Sequence, residues 1–172
     1  MRRTLLRSPN PPPPKFKPAV GVRQAHCSQE PPPFINGNQI YRGRRALGKS
    51  YEKRVHEHLG ELYPGYVPGQ WFKFTDGSSR ERWCQPDGLI FDLELGGICV
   101  VEVKYQHTAD AWWQLNELYM PVVRKAFPGW TVTMCEVVKW FDPAVVCPQR
   151  PRLCRMPDLA AVGDFGVFIW KP

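Results

Sequence analysis

The segment from Ile98 to Tyr105 constrains the fold more than any other part of this chain. It is apolar on both faces, which indicates a covered strand at the centre of a sheet. Two charged residues, Glu102 and Lys104, interrupt the run. Because side chains alternate along a strand, they lie on one face together with Val100. Charged side chains are seldom buried unless they are paired or used chemically, so this pair indicates a functional site.

A second acidic residue is predicted to lie beside Glu102. Asp87 belongs to a segment, residues 82–93, that we expect to be the preceding strand of a hairpin with its turn at 94–97. Two carboxylates about 5 Å apart repel by roughly 3 kcal/mol at an effective dielectric of 20, so they take up a proton or bind a cation. Magnesium suits two hard oxygen ligands with room for water and phosphate. The ammonium of Lys104 can then orient the attacking water or stabilise charge in the transition state.

Two helices are predicted from apolar spacing. The first covers residues 49–62, with Ser50 as a possible N-cap and a Pro-Gly turn after its end. The second runs from residue 109 to about 127 and is capped by Thr108. Pro121 falls inside it and is expected to kink or split it near residue 120.

Further strands are predicted at residues 71–74, 130–138 and 166–170, and residues 141–163 are expected to be mainly loop. The order of elements is helix, strand, hairpin, helix, strand. It predicts an α/β fold, a three-layer-like sandwich with a central mixed β-sheet flanked by helices.

The candidate site resembles the signature of the PD-(D/E)XK nuclease superfamily, and in particular its phage exonuclease and recombination-nuclease members. Pro86-Asp87 is followed, after fourteen residues, by Glu102-Val103-Lys104. Family members typically add an acidic residue on a preceding helix, which Glu52 matches. Members of the exonuclease type often carry a glutamine on the following helix, which Gln114 matches. An exposed helix position is the simpler alternative for both of these residues.

The resemblance covers about residues 48–120 and implies a restriction-endonuclease-like fold. It implies hydrolysis of DNA with Mg²⁺, for which Mn²⁺ can substitute. Asp87, Glu102 and the Val103 carbonyl would bind the metal, and Glu52 would be a further ligand or hold a water of the metal. Lys104 would serve the nucleophilic water. The implied catalytic set is therefore Lys104, Glu102, Asp87, Glu52 and Gln114, and the choice between exonuclease and endonuclease stays open.

The amino-terminal region differs from the rest of the chain in charge and proline content. Nine of the 19 prolines lie in the first 33 residues, which favours extended polyproline II. Residues 1–49 contain ten Lys or Arg and one acidic residue, a formal charge of +9 against +7 for the whole chain. We therefore predict a basic, proline-rich arm at residues 1–40, flexible or ordered by a partner, and a nuclease domain at 41–172. Such an arm is typical of nucleic-acid binding, and it also fits a protein partner.

Residues close to the predicted site have alternative interpretations. Tyr105 and His107 follow the central strand and are candidates for contact with phosphate or a base. The pair Trp112-Trp113 fits core packing better than stacking on single-stranded bases. His56, one turn after the helix glutamate, is expected on the surface.

Two other functions remain open from the sequence. One is a catalytically inactive nuclease-fold protein that binds DNA or serves phage assembly or packaging. The other is a module that recruits protein partners through its arm. No apolar run is long enough to span a membrane, and cytoplasmic localisation is expected (the host cytoplasm for a phage protein), with organelle targeting left open by the Arg-rich start. The six cysteines do not suggest a disulfide scaffold and are expected to be buried or inert thiols.

Overall fold

The described part of the chain is a mixed α/β protein in which helices pack against a six-stranded mixed sheet, with a small antiparallel sheet beside it. The structure is a computed structural model that describes residues 16–35, 40–78, 80–155 and 164–172. The helical elements are α1 (Arg44–Leu62), α2 (Ala109–Gln114), a π-helical turn (Leu115–Tyr119) and α3 (Met120–Ala126). The strands are β1 (Gln24–Ser28), β2 (Tyr66–Pro68), β3 (Trp71–Thr75), β4 (Glu81–Cys84), β5 (Gly88–Asp92), β6 (Gly97–Gln106), β7 (Thr131–Trp140), β8 (Arg152–Cys154) and β9 (Phe165–Ile169).

The larger sheet has the strand order β2-β5-β6-β7-β9-β8. β6 pairs antiparallel with β5 and parallel with β7. Val100 of β6 is buried in a cluster with Leu115 and Val122, whereas Val101 is buried in a different cluster with Val55 of α1. Because neighbouring side chains of a strand point to opposite faces, helical elements cover both faces of β6. The predicted central strand, buried on both sides and joined to β5 by a hairpin turn, is confirmed.

The segment predicted as one strand over residues 82–93 is two strands in different sheets, so that prediction is wrong. β4 pairs with β3 in a three-stranded sheet of order β1-β3-β4, whereas β5 pairs with β2 and β6. The chain changes sheets at Gln85, Pro86 and Asp87. Pro86 has no N–H with which to continue a ladder, and Gln85 Nε2 donates to the Gly69 carbonyl at 2.6 Å. This crossing places Asp87 immediately before β5.

The first helix, α1, starts earlier than predicted. It begins at Arg44 and ends at Leu62, the predicted last residue. Gly43, with φ 58°, precedes its first turn, so the prediction of Ser50 as N-cap is wrong. One apolar stripe of α1 is buried against the larger sheet, as its spacing predicts, and consists of Tyr51, Val55 and Leu59.

The predicted break in the second helical region is confirmed, and its cause is Pro121. Proline cannot donate a hydrogen bond to the carbonyl four residues earlier, which is that of Glu117. The chain makes the π-helical turn here before α3 resumes at Met120. The Glu117 carbonyl accepts the backbone N–H of Ala19 at 2.8 Å instead. A segment near the amino end therefore satisfies a group that the proline leaves without its helical partner.

Residues 16–28 lie within the stretch predicted to be a separate arm. In the structure, β1 pairs antiparallel with β3, and Ala19 is buried. The guanidinium of Arg82 donates to two backbone carbonyls of this segment and also forms an ion pair with the buried carboxylate of Asp76. This part of the predicted arm therefore belongs to the folded domain, whereas residues 1–15 lie outside the described residues.

The remaining predictions differ from the structure only in detail. β3, β7 and β9 occupy the predicted strand positions within about two residues, the usual uncertainty of strand and helix ends. Thr108 is the N-cap residue of α2, as predicted, although its side chain makes no capping hydrogen bond. The predicted loop at 141–163 contains β8, whose three residues are too few to show alternation, and residues 156–163 are not described. Among the described helices, none combines the length and the apolar character needed to cross a membrane.

The contact between Arg82 and Asp76 predicts the effect of a substitution on stability. Arg82→Ala leaves the Asp76 carboxylate buried without its cation and releases the backbone carbonyls of residues 17 and 18. We expect the free energy of unfolding to fall by about 3 kcal/mol, the scale for a buried ion pair that loses one partner. Urea denaturation followed by tryptophan fluorescence measures this change.

Arg80→Ala is the matched control, because Arg80 is exposed just before the same strand. It is expected to change the free energy of unfolding by no more than about 0.5 kcal/mol. Equal effects of the two substitutions would contradict the role assigned to Arg82.

Candidate active site

Asp87 lies opposite Glu102 at the end of the β5–β6 hairpin. Gly88 and Val101 are the last paired residues of the two strands. One further antiparallel step brings the two acids opposite one another, with their side chains on the same face. Asp87 Oδ2 also accepts the backbone N–H of Val103 at 2.6 Å, which fixes its carboxylate against β6. The structure thus brings together the two acids that the sequence predicts to be neighbours.

The Glu102 carboxylate is almost wholly buried, with 3% of its side chain exposed. Its Oε1 accepts a hydrogen bond from Lys104 Nζ at 2.5 Å. Its Oε2 is buried and has no hydrogen-bond partner among the described residues. Burial, followed by the negative charge of Asp87, raises the pKa of Glu102 to about 8 against the attraction of Lys104. Such a carboxylate is stabilised by a proton or by a metal cation.

Lys104 connects this carboxylate to the second helical region through a chain of hydrogen bonds. Lys104 Nζ donates to Gln114 Oε1 at 3.3 Å, and Gln114 Nε2 donates to the hydroxyl of Tyr119 at 2.5 Å. The Tyr119 hydroxyl donates in turn to the Gln85 carbonyl at 3.0 Å. Burial would lower the pKa of Lys104, but attraction and hydrogen bonding to Glu102 outweigh it and raise the pKa. The side chain of Lys104 is therefore a positively charged donor at neutral pH.

The π-helical turn explains how Gln114 and Tyr119 meet. Residues that contact one another on a regular α-helix are three or four positions apart, whereas these two are five apart. The wider turn of residues 115–119 brings them to the same side. The position of Gln114 beside Lys104 therefore depends on the helix break that Pro121 causes.

Glu52 of α1 adds a negative charge from the other helical element. Its two carboxylate oxygens accept hydrogen bonds from Lys49 at 2.7 and 2.8 Å, and Nε2 of His56 lies 3.7 Å from Oε1. Nδ1 of His56 is 2.5 Å from the Tyr66 hydroxyl, so His56, which was predicted to lie on the surface, is half-buried there. Burial raises the pKa of Asp87, a backbone hydrogen bond opposes this, and the charge of Glu52 raises it further. Glu52 therefore acts on Asp87 electrostatically.

An open cavity of about 230 Å³ lies between α1 and the end of β6. Glu52, Val103 and Lys104 line it, so three residues predicted for the site share one space. Arg45 and Lys49 add two cations to its wall. At roughly 30 Å³ per water molecule, the cavity has room for a phosphate group and several waters.

The side chains fit a hard cation that keeps part of its water shell. Asp87 and Glu102 share one face, and Oε2 of Glu102 lacks a partner within the described residues. Mg²⁺ commonly takes one or two carboxylates from a protein and fills its other positions with water or phosphate. Across residues 16–35, 40–78, 80–155 and 164–172, no group of three or more His, Cys, Asp or Glu side chains could hold a metal ion. The predicted ligand roles of Glu52 and of the Val103 carbonyl stay predictions.

Other predicted neighbours of the site fall in different places. Tyr105 lines the cavity. His107 is buried, with a relative exposure of 1%, is bound to Glu136 and does not line this cavity, so its predicted contact with phosphate or a base stays a prediction. Trp112 is buried and packs edge-on against Trp113 with ring centroids 4.9 Å apart, which confirms the core interpretation of this pair.

Sequence reasoning did not identify Tyr119 or Tyr66 as residues of this site. Tyr119 has the wrong spacing from Gln114 for a regular helix, and only Pro121 signalled a distortion nearby. Tyr66 lies in a three-residue strand that has no recognisable alternation. Tyr66 contacts His56, and Tyr119 contacts Gln85, through tertiary interactions that a local pattern cannot reveal.

No protein-family profile, curated protein or solved structure matches this chain. The contacts of Asp87, Glu102 and Lys104 are therefore the basis for assigning a function.

The hydrogen-bond chain through Tyr119 predicts a measurable cost for removing one hydroxyl. Tyr119→Phe keeps the buried ring but leaves the Gln114 amide and the Gln85 carbonyl without this partner. We expect the free energy of unfolding to fall by about 1–2 kcal/mol, as for other buried groups that lose a hydrogen bond. Urea denaturation measures the loss.

Tyr105→Phe is the control, because the Tyr105 hydroxyl makes no hydrogen bond within the part of the chain that the structure describes, and its ring contact with Tyr51 is kept. A loss for Tyr119→Phe no larger than that for Tyr105→Phe would disprove the role assigned to the chain of hydrogen bonds.

Proposed function

We propose that this chain is a metal-dependent deoxyribonuclease that hydrolyses phosphodiester bonds with an activated water. The observation that carries the proposal is the buried carboxylate of Glu102. One of its oxygens is bound to Lys104, the other has no partner in the described residues, and Asp87 lies opposite. Burying these charges costs several kcal/mol that an apolar strand would not incur. A bound cation removes this cost, which supports a metal site at this position.

We also propose the finer fold that the motif implies, a restriction-endonuclease-like three-layer sandwich. Three features support it: a helix precedes the motif, a β-hairpin carries it, and a second helical region follows. α1 packs on one face of the larger sheet and the second helical region on the other. Restriction-type nucleases place Asp and Glu-x-Lys on such a hairpin, as the resemblance implies.

Mg²⁺, with Mn²⁺ as a substitute, is proposed to be held by Asp87 and Glu102, with the Val103 carbonyl and Glu52 as the further ligands that the resemblance implies. The ion, when bound, supplies positive charge for the scissile phosphate and lowers the pKa of the attacking water. The raised pKa values of both acids support this site, because ionised carboxylates close together gain most from a divalent cation.

The chain's own side chains supply the remaining chemistry. The ammonium of Lys104 is oriented by its hydrogen bond to Gln114. It can therefore donate a hydrogen bond to the attacking water or to a phosphate oxygen that gains charge. Arg45 and Lys49 in the cavity wall suit the neighbouring phosphates of a DNA strand. The +9 charge of residues 1–49 adds attraction to the nucleic-acid backbone that does not depend on base sequence.

A nucleic-acid-binding protein without catalysis, including a phage assembly or packaging factor, is the second candidate. One observation favours it: the two acids already have partners within the chain. Lys104 binds one oxygen of Glu102, and the Val103 N–H binds one oxygen of Asp87. If the protein is such a non-catalytic binder, these contacts persist without a metal ion, and Mg²⁺ is expected not to change the stability of the protein.

Cleavage of DNA by the full chain tests the proposed activity. We expect Mg²⁺-dependent hydrolysis that stops when EDTA is added, measured on single-stranded, linear duplex and closed circular DNA. Lys104→Met and Glu102→Gln are each expected to lower the rate at least about 100-fold, the scale for losing one group that stabilises transition-state charge. Cleavage of the closed circle would identify an endonuclease.

Lys53→Met is the matched control, because Lys53 is exposed on α1 with its ammonium 3.9 Å from Glu57. It is expected to keep the wild-type rate. Undiminished cleavage by both site variants would overturn the assignment of the site. If the wild-type protein cleaves none of the substrates, the proposed activity itself is wrong.

Magnesium binding can be measured without cleavage. We expect Mg²⁺ at a hundredfold excess over its Kd to stabilise the wild-type protein by about 2.7 kcal/mol in thermal unfolding. The pKa of Glu102 is about 8 in the folded protein and about 4.3 in the unfolded chain, so without metal the protonated form of Glu102 stabilises the fold at low pH. This stabilisation is lost as the pH rises from about 4.3 through 8. Over the same range Mg²⁺ binding strengthens, since the ion needs the ionised carboxylate.

Glu102→Gln is expected to abolish both the magnesium effect and this pH dependence, whereas Glu57→Gln, on the exposed face of α1, keeps both. Equal stabilisation of wild type and Glu102→Gln by Mg²⁺ would place any metal site elsewhere.

A further inference from the structure

Cys147, His107 and Glu136 form a hydrogen-bonded chain that the proposed nuclease site does not use. Sγ of Cys147 lies 3.7 Å from Nε2 of His107. Nδ1 of the same imidazole lies 2.5 Å from Oε2 of Glu136. A thiol, an imidazole and a carboxylate in this order form the arrangement that activates a nucleophile, because the imidazole accepts the thiol proton and the carboxylate orients the imidazole.

The imidazole of His107 is held in one orientation. Phe141 stacks on it, with ring centroids 4.8 Å apart and an interplanar angle of 28°. Glu136 is held by a second contact, since its Oε1 accepts the N–H of Thr108 at 3.4 Å. Burial would lower the pKa of His107, but hydrogen bonds with Cys147 and Glu136 outweigh it and raise the pKa to about 9. The protonated imidazole therefore lies beside Sγ of Cys147, where it can donate a proton to a leaving sulfur.

Cys147 also lines a cavity of about 640 Å³, within the size range of small-molecule sites. This cavity shares no lining residue with the one beside Lys104. Arg150 is the cationic residue of its wall. The other lining residues are apolar: Phe141, Pro143, Val145, Val146, Pro151 and Leu153. The wall therefore suits a ligand with an apolar body and a carboxylate.

We propose that Cys147 is a reactive thiol that forms a mixed disulfide with a small, carboxylate-bearing disulfide bound in this cavity. Sγ of Cys147 attacks one sulfur of the ligand, so that a new S–S bond forms and the S–S bond of the ligand breaks. The departing thiolate takes the proton held on Nε2 of His107 and leaves as a thiol. The ligand disulfide is the oxidant, and one of its halves is reduced as Cys147 is oxidised.

Disulfide exchange suits these residues better than acyl transfer to the same sulfur. Acyl transfer needs donors aimed at a developing oxyanion. In exchange, the charge moves from one sulfur to another, and a proton donor for the leaving sulfur is sufficient. His107 can be that donor, and Arg150 can bind the carboxylate of the ligand.

Cys27 provides a reference thiol within the same molecule. It is exposed on β1, and its side chain makes no hydrogen bond to any described residue. Three other cysteines are buried: Cys84, Cys99 and Cys135. An activated thiol at Cys147 must react faster than Cys27 although it is less exposed, so accessibility alone cannot produce the expected order of reaction.

The experiment exposes the reduced full chain to oxidised glutathione, which carries carboxylates, or to cystamine, a cationic disulfide. Peptide mapping by mass spectrometry gives the rate of mixed-disulfide formation at each cysteine. With oxidised glutathione, we expect Cys147 to react at least about tenfold faster than Cys27, because His107 can protonate the departing sulfur and Arg150 can bind a carboxylate of the disulfide. The ratio of the Cys147 rate to the Cys27 rate should be smaller with cystamine, because cystamine has no carboxylate for Arg150 to bind.

Arg150→Ala tests the ligand chemistry and keeps the three-residue chain intact. It is expected to remove the difference between the two disulfides at Cys147, whereas Arg152→Ala, an exposed residue outside the cavity wall, preserves it. A Cys147 rate no higher than that of Cys27 would overturn the reactive thiol. Equal rate ratios for the two disulfides in the wild-type protein would overturn the carboxylate-bearing ligand. Neither readout depends on DNA cleavage or on magnesium.

Discussion

The burial of Glu102 and Lys104 on the central strand is the constraint on which the rest of this structure depends. Taking both charges out of water costs several kcal/mol for each ion, and this cost is offset only when the remaining donors and acceptors find partners. Lys104 has two such partners, Glu102 and Gln114. Glu102 has one oxygen without a partner among the described residues. The fold therefore carries an incomplete polar network at its centre, and a cation is the simplest group that completes it.

Acidic side chains form a row across the same face of the larger sheet. The parallel register of β6 and β7 places Glu136 beside Glu102, and Asp87 follows on the other side. His107 compensates Glu136 at one end of the row. Asp87 and Glu102 share the positive charge of Lys104. The repulsion between their two carboxylates favours the binding of a cation. The sheet register thus places a compensated acid, Glu136, next to two acids that remain available for binding.

Two prolines interrupt regular secondary structure and thereby position the residues around Glu102 and Lys104. Pro86 stops β4 and lets the chain cross to the larger sheet, so Asp87 arrives opposite Glu102. Pro121 forces the π-helical turn, which brings Tyr119 to the amide of Gln114. The Tyr119 hydroxyl then bonds to the carbonyl of Gln85, next to the first proline. The two interruptions are therefore tied together by a hydrogen bond, and the geometry around Lys104 depends on both.

The sequence by itself determined the features that depend on local pattern. Alternation placed Glu102 and Lys104 on one face, and the two-sided apolar run required that face to be buried. The end of α1 and the break at Pro121 follow from the chemistry of proline and glycine. These conclusions needed only neighbours along the chain.

Only the tertiary structure decided which distant groups satisfy the buried ones. It split residues 82–93 between two sheets, joined residues 16–28 to the smaller sheet, and buried His107 against Glu136. It also brought Tyr119 to Gln114 at a spacing that no regular helix favours. Such pairings are set by sheet register and by the need of each buried polar group for a partner. That Asp87, Glu102 and Lys104 lie close together could therefore be predicted from the sequence, whereas the residues that hold these three in place could not.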